Sequence, residues 1–173
     1  MRSSKKKSYC SGHGVGLLRI AGSWAITLFV VSCAEVEQPL QNVEQVRIGN
    51  KIFTLELALD EQTRYQGLTD RSEIKDAGGM LFVFRTPRVL EFVMRRCLVP
   101  IDLVLLDPSG RIVAMHRMEV VPYDTPEDDL HRYTSTWPAQ FAIELKSGTI
   151  GQIGIQLDQR ITLPIERLKD LAR

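Results

Sequence analysis

The chain has 173 residues, of which 44% are hydrophobic and 25% are charged, a composition that suits one globular domain and argues against extended disorder. Five of the 22 basic residues lie in residues 1–32, which contain no acidic residue, so the rest of the chain holds 17 basic and 21 acidic residues and a net charge of −4. A mildly acidic domain without a basic cluster lacks the electrostatic footprint of a nucleic-acid-binding protein.

The first 33 residues have the organisation of an export signal. A basic stretch that ends at Arg19 precedes an apolar run over residues 20–31. That run is too short to cross a membrane, since a transmembrane helix needs about 20 apolar residues. Residues 30–33 (VVSC) resemble the lipobox of bacterial lipoproteins, which implies cleavage before Cys33 and acylation of its thiol. We therefore predict a signal peptide over residues 1–32 and a lipid anchor at Cys33, with the membrane as its partner.

The segment after the predicted cleavage site is polar, and it contains one proline. We predict that residues 33–45 form a tether and that residues 46–173 form a single β-rich domain. Ala34 directly follows the lipobox cysteine, which in enterobacterial lipoproteins favours the outer membrane. The expected location is therefore the periplasmic face of the cell envelope. Cys97 is the sole thiol after residue 33, so the domain has no internal disulfide and depends on its core.

The chain from residue 43 onward begins with the pattern of a β-hairpin and a short helix. Residues 43–48 and 51–59 are predicted strands around a Gly-Asn turn. The second strand alternates strictly and places four apolar side chains on one face, namely Phe53, Leu55, Leu57 and Leu59. Asp60 is placed to cap a helix over residues 61–66, which Gly67 ends.

The second half of the chain contains further strand patterns and a terminal helix. The predicted strands cover residues 80–84, 89–94, 101–106, 111–121, 139–145 and 160–163. Residues 107–110 (DPSG) are typical of a type I turn, and residues 122–138 form a long loop. Residues 147–154 are a Gly-rich turn or weak helix, and Pro164 starts the last helix. Because the connections have hairpin length, we expect a mainly β domain, either a small antiparallel sheet or barrel-like, with two or three short helices.

Three ordered stretches carry a resemblance to a known family. They are residues 64–71 (RYQGLTDR), 79–84 (GMLFVF) and 92–103 (FVMRRCLVPIDL), and a later AIEL at residues 142–145 fits as well. This set is similar to the domain-of-unknown-function 192 family over residues 46–163. The resemblance implies a small, mostly antiparallel β-structure, often with an export signal, and it carries no established activity.

This chain departs from the commonest pattern of that family at one position. Many members have an aromatic residue followed by Met-Lys-Asn-Thr, whereas this chain has VMRRC over residues 93–97. If the Asn and Thr contact a ligand in those members, this protein has a different ligand or none. Cys97 is the most distinctive of these replacements.

Two acidic residues lie within predicted strands that are otherwise apolar. Asp102 and Glu144 must each find hydrogen-bond donors or face a cleft, because burying an unpaired carboxylate is costly. Asp102 could pair with Arg64 or Arg95, or cap a turn. If both acids face one cavity, we expect a raised pKa for one of them, and the pair could serve an envelope hydrolase.

Cys97 allows three interpretations. A nucleophile needs a base, and neither His116 nor His131 lies in a recognisable catalytic context. A buried, inert thiol is the simplest alternative. A Cu(I)-handling site built on Met94 and Cys97 is the third, because sulfur ligands favour Cu(I). Further candidate ligands for that site are Met115, His116 and Met118.

The sequence contains no phosphate-binding glycine loop, no Gly-x-Ser-x-Gly elbow and no paired-cysteine zinc motif, so it assigns no catalytic residue, metal ligand or cofactor. The leading hypothesis is a lipid-tethered binding or accessory module for an unknown small-molecule or envelope ligand. The candidate pocket residues are Arg64, Met80, Met94, Cys97, Asp102 and Glu144. The two methionines also suit ordinary core packing.

Overall fold

A computed structural model describes residues 42–173, so the predicted signal peptide, Cys33 and most of the predicted tether lie outside the described residues. The strands are β1 (Val43–Ile48), β2 (Lys51–Ala58), β3 (Gly78–Arg88), β4 (Glu91–Phe92), β5 (Ile101–Leu106), β6 (Ile112–Met118), β7 (Tyr133–Thr134) and β8 (Ala139–Lys146). The helices are α1 (Glu61–Gln66), α2 (Thr149–Ile153) and α3 (Ile165–Leu171). Six strands form one sheet in the order β1-β2-β3-β8-β5-β6, and β4 pairs with β7.

The six-stranded sheet carries apolar side chains on both faces. On the face that we call the helix face, Leu55 and Val104 pack with Leu168 of α3. On the opposite face, which we call the pocket face, Phe82 and Leu103 pack with side chains from the loops. All six residues of β5 are buried, because elements cover both faces of the sheet at this strand. This burial explains why β5 is an apolar run interrupted only by Asp102.

The predicted N-terminal hairpin is confirmed. β1 and β2 pair antiparallel from Val43↔Glu56 to Ile48↔Lys51, so a two-residue turn joins them. The alternating apolar residues of β2 are buried on the helix face, and Leu59 packs against the same cluster. Because β1 begins at Val43, its first residues lie in the segment that the sequence predicted as tether.

The sheet is mixed, which corrects the prediction of antiparallel pairing at one position. β2 and β3 run parallel from Thr54↔Gly78 to Ala58↔Phe82. A parallel pair needs a crossover connection, and residues 59–77, which contain α1, provide it. Within residues 42–173, β1 and β6 are the two edges of the sheet, so the sheet is open and forms no closed barrel.

Several predicted strands have different bounds in the structure. The strand predicted over residues 89–94 is reduced to Glu91–Phe92. The strand predicted over residues 160–163 is only a single bridge between Arg111 and Arg160, because this segment bonds to the turn before β6 rather than to a strand. β3 extends through Pro87, where a register irregularity removes the need for a ladder hydrogen bond.

The turns and helices of the C-terminal half largely follow the sequence prediction. In the turn over residues 107–110, the amide of Gly110 donates to the carbonyl of Asp107 over 3.0 Å. The long loop over residues 122–138 contains a one-turn 3₁₀ helix (Glu127–Asp129) and β7. Among residues 42–173, every helix is too short or too polar to cross a membrane.

Candidate functional site

A cavity of about 430 Å³ opens on the pocket face beside α1. This volume lies within the range of small-molecule sites. Its lining comes from α1 and the loop after it, from β3, from the segment around β4, and from one residue of β8. Six lining side chains define its chemistry, namely Arg64, Tyr65, Phe82, Phe84, Arg88 and Glu144.

The pairing of β3 with β8 places an acid beside an aromatic wall. Met80 pairs with Glu144 and Phe82 pairs with Ala142, and paired residues point to the same side of a sheet. Glu144 and Phe82 therefore share the pocket face. Phe92 packs its ring against Phe82 at a centroid distance of 5.1 Å and an angle of 90°, an edge-to-face geometry that aromatic pairs favour.

Glu144 is the unusual group in this pocket. Its side chain is 5% exposed, and among the described residues its Oε2 has no hydrogen-bond partner. Burial raises the pKa of the Glu144 carboxyl to about 8, and the nearby charge of Arg71 only partly opposes this rise. At neutral pH the carboxyl is therefore mostly protonated and can donate a hydrogen bond into the pocket.

The end of α1 keeps the space above Glu144 open. Asp60 caps the helix, since its Oδ1 accepts from the amide of Thr63 over 2.8 Å. The helix ends at Gly67, whose φ of 51° and ψ of −135° are unfavourable for other residues. A Cβ atom on Gly67 would lie 3.7 Å from Oε2 of Glu144 and would occupy pocket space.

Two arginines flank one aromatic ring at the rim. The guanidinium carbons of Arg64 and Arg88 lie 5.2 and 5.0 Å from the centroid of Phe84. Arg64 also donates to the main-chain oxygens of Val83 and Arg173, each over 3.0 Å. Burial and the neighbouring Arg88 charge lower the pKa of Arg64. This end of the pocket therefore has a concentrated positive charge.

Arg95, the third arginine at the pocket rim, is paired with an acid of the long loop over residues 122–138. Arg95 donates through Nε and Nη2 to the carboxylate of Glu127 over 2.6 and 2.5 Å. Its guanidinium also lies 4.2 Å from the ring centroid of Tyr65. A second set of hydrogen bonds joins the same loop to the rim, through Asp70, Arg96 and Tyr123. The long loop is thus fastened to the pocket wall.

Cys97, one of the candidate pocket residues predicted from the sequence, lines the pocket. Its Sγ donates to the carbonyl of Arg95 over 3.5 Å. Burial, with a further contribution from Glu144, raises the pKa of the thiol to about 12. A thiol with so little thiolate at neutral pH is a poor nucleophile, so the structure favours the interpretation of Cys97 as an unreactive side chain.

Asp102 lies away from this pocket. It pairs with Leu145 and Glu144 pairs with Leu103, so the two acids project from opposite faces of the sheet. Asp102 Oδ2 accepts from the amide of Ile150 over 2.8 Å and caps the first turn of α2. The hypothesis of a hydrolase that uses Asp102 and Glu144 across one cleft therefore needs correction, because the sheet separates them.

The candidate methionines are buried side chains. Met94 is 2% exposed and Met80 is 6% exposed, both in the cluster of the pocket face. Met80 lines a smaller neighbouring cavity of about 190 Å³ rather than the main pocket. Met115 packs on the helix face, whereas Met94, Cys97 and Met118 belong to the cluster of the pocket face, so the ligands considered for Cu(I) do not all lie on one side of the sheet. Within residues 42–173, no group of three or more His, Cys, Asp or Glu side chains is placed to hold a metal ion.

The sequence did not identify the aromatic wall or Arg88 as part of a site. The alternation of Phe82 and Phe84 in β3 was a usable signal, because every second residue of a strand faces the same side. That signal gains meaning only once Ala142 and Glu144 are known to lie beside it.

Removing the side chain of Asp102 is expected to weaken folding without altering the pocket. Asp102→Ala leaves an amide of α2 unpaired and should cost about 1–2 kcal/mol, as helix caps do. Asp102→Asn keeps an acceptor oxygen and should cost less. Urea unfolding of both variants measures the difference, and an equal loss in the two would contradict the capping role.

The fold and the pocket define a class: a β-rich domain with a six-stranded mixed sheet, one face of which bears a small-molecule-sized cavity with a buried acid. The chain belongs to the DUF192 family (uncharacterized ACR), whose model matches residues 44–163. The sequence resemblance is thereby confirmed. No activity is established for this family, and no curated protein matches the chain.

Two crystal structures share the fold. One is a protein from Sinorhizobium meliloti 1021 that is provisionally described as a transcription regulator; it is 26% identical, with a TM-score of 0.59, over 68% of this chain and 89% of that chain. The other is a protein of unknown function from Novosphingobium aromaticivorans DSM 12444, 23% identical, with a TM-score of 0.62, over 73% of this chain and 90% of that chain.

Proposed function

We propose that the domain binds a small organic ligand in the pocket beside α1. This proposal rests mainly on Glu144, which lines a cavity of ligand size. Its carboxyl is buried, and its Oε2 has no hydrogen-bond partner among residues 42–173. A buried polar group without a partner costs free energy, and a bound ligand that accepts its hydrogen bond would recover part of that cost. Phe82, Phe84 and Phe92 add apolar contact area around it.

A fragment screen tests this proposal. The full chain in a zwitterionic detergent is heated with each compound, and ligands that bind only the folded state raise the melting temperature. We expect hits whose effect falls in Glu144→Leu and persists in Asp102→Asn, which alters the opposite face. The proposal fails if every stabilising compound acts equally on wild type and Glu144→Leu.

Membrane anchoring through Cys33 is part of the same proposal, and it rests on the lipobox-like residues 30–33 and the apolar run before them. A diacylated cysteine binds membranes far more firmly than one acyl chain. The domain would then present its pocket at the periplasmic face of the envelope, where it would meet ligands outside the cytoplasm.

Labelling cells with radioactive palmitate tests the anchor. We expect the label on wild type and on Cys10→Ser, because Cys10 lies within the predicted signal peptide, and complete loss on Cys33→Ser. Fractionation should move Cys33→Ser out of the membrane pellet. Retained label in Cys33→Ser, or no label on wild type, would contradict the anchor while leaving the pocket proposal intact.

A further inference from the structure

We infer that the pocket recognises an organic oxyanion with a flat apolar body, whose acidic group lies at Arg64 and Arg88 and whose other end presents a hydrogen-bond acceptor to Glu144. This inference rests on the ligand-binding function proposed above and assigns its ligand class. It follows from the charge at the rim, the shape of the walls and the protonation of the buried acid.

The positive charge at the rim lacks a matching acid. Within the part of the chain that the structure describes, Arg64 and Arg88 form no salt bridge, although both lie on the ring of Phe84. Burial and the charge of Arg88 both lower the pKa of Arg64, and an oxyanion bound beside the two guanidinium groups would relieve their repulsion and accept hydrogen bonds from them.

The other charged rim residues leave this positive charge in place. Arg95 is neutralised by Glu127, and Glu91 pairs with Arg132 over 3.4 Å. Apart from Glu144, whose carboxyl is mostly protonated at neutral pH, the remaining acid of the lining is Glu61, in the first turn of α1. One acid against two arginines leaves the rim with an excess positive charge, which favours an anion over a neutral or cationic ligand.

The walls favour a flat body. Phe82 and Phe92 line the pocket and meet edge to face, and the rings of Tyr65 and Phe84 also belong to its lining. Aromatic faces gain most from planar partners, since stacked or edge-on rings keep the largest contact area. A saturated or highly branched body would leave part of these rings uncovered.

The floor requires an acceptor at the inner end of the ligand. Glu144 lies beside Met80 in the sheet, because the two residues are paired across β3 and β8. Met80 precedes Phe84 by four residues in β3, which corresponds to roughly 13 Å along the strand. Because its carboxyl is mostly protonated at neutral pH, it donates a hydrogen bond and does not repel an anion. A carbonyl or ether oxygen at that end would accept the proton.

Four probes separate the parts of this inference. 4-Acetylbenzoate carries the anion, the ring and the acceptor. 4-Acetylbenzamide removes the charge, 4-isopropylbenzoate removes the acceptor at nearly constant shape, and 4-acetylphenyl phosphate replaces the carboxylate by a phosphate. Dissociation constants are measured by ¹H–¹⁵N NMR on the full chain in detergent, from the amides of Gly67 and Cys97, which line the pocket.

We expect 4-acetylbenzoate to bind about tenfold more tightly than the benzamide, since a hydrogen bond to a charged group contributes at least about tenfold in affinity. It should bind several-fold more tightly than the isopropyl analogue, which loses a neutral hydrogen bond that contributes about fivefold. Arg88→Gln should remove the preference for the anion, whereas Arg47→Gln, an exposed arginine of β1 outside the pocket lining, should keep it. Glu144→Leu should remove the preference for the acetyl group, and Glu144→Gln, which retains a donor, should restore it. Tighter binding of the phosphate than of the carboxylate assigns the oxyanion as a phosphate.

Equal affinity for 4-acetylbenzoate and 4-acetylbenzamide, or unchanged anion preference in Arg88→Gln, overturns the oxyanion assignment. Absence of pocket shifts with all four probes overturns it as well. The binding function itself fails separately, when the fragment screen yields no compound whose effect depends on Glu144.

Discussion

Replacing Glu144 with glutamine is expected to stabilise the domain increasingly as the pH rises. The pKa of this carboxyl rises from 4.5 to about 8 on folding, because the charged form loses its hydration in the pocket. Between these two pH values the unfolded chain releases the proton and the folded protein keeps it, so the free energy of unfolding of wild type falls with rising pH. Glutamine has no proton to release, so the variant lacks this contribution.

The size of the effect follows from the pKa rise. At about 1.4 kcal/mol for each unit of pH, the difference in unfolding free energy between Glu144→Gln and wild type should grow by up to about 5 kcal/mol from pH 4.5 to above pH 8. Urea unfolding at a series of pH values measures it.

An exposed glutamate provides the matched control for this series. Glu73→Gln changes a glutamate on the surface and should follow wild type within about 0.5 kcal/mol throughout. A difference between Glu144→Gln and wild type that stays constant with pH would show that the carboxyl is hydrated or paired in the folded protein. That result would also remove the observation on which the proposed function depends.

Replacing Gly79 with alanine is expected to be the most damaging small substitution in the sheet. A Cβ atom there would lie 2.2 Å from the backbone carbonyl oxygen of Glu144 and 3.1 Å from a methyl group of Leu55. The φ of 154° adds strain, because side chains other than hydrogen disfavour it. Since the backbone of β8 cannot move without breaking its ladder with β5, we expect a loss of at least about 3 kcal/mol.

Gly151 gives a control for the same chemical change. It lies in α2, and a Cβ atom there would meet nothing within 4 Å. Gly151→Ala should therefore leave stability unchanged or raise it by up to about 1 kcal/mol, because alanine favours helix. Thermal unfolding monitored by circular dichroism compares the two variants. Similar melting temperatures for both would contradict the close approach of β3 and β8 at Gly79.

The sequence by itself determined the local elements with strong patterns. The hairpin of β1 and β2 follows from strict alternation and a Gly-Asn turn, and α1 follows from the Asp60 cap and Gly67. These features depend on residues close together in the chain, whose preferences tertiary contacts do not override. The family is also visible from ordered short motifs, and the match over residues 44–163 confirms it.

Only the tertiary structure decided the pocket. Strand register assigns each side chain to a face, and a shift of one residue would exchange the faces of Asp102 and Glu144. The two acids look alike in sequence, each between apolar neighbours, yet one caps α2 and the other lies beneath Gly67, where its Oε2 has no hydrogen-bond partner among residues 42–173. The parallel pairing of β2 with β3 likewise arises from the crossover through α1, because no local pattern encodes which distant strand lies alongside.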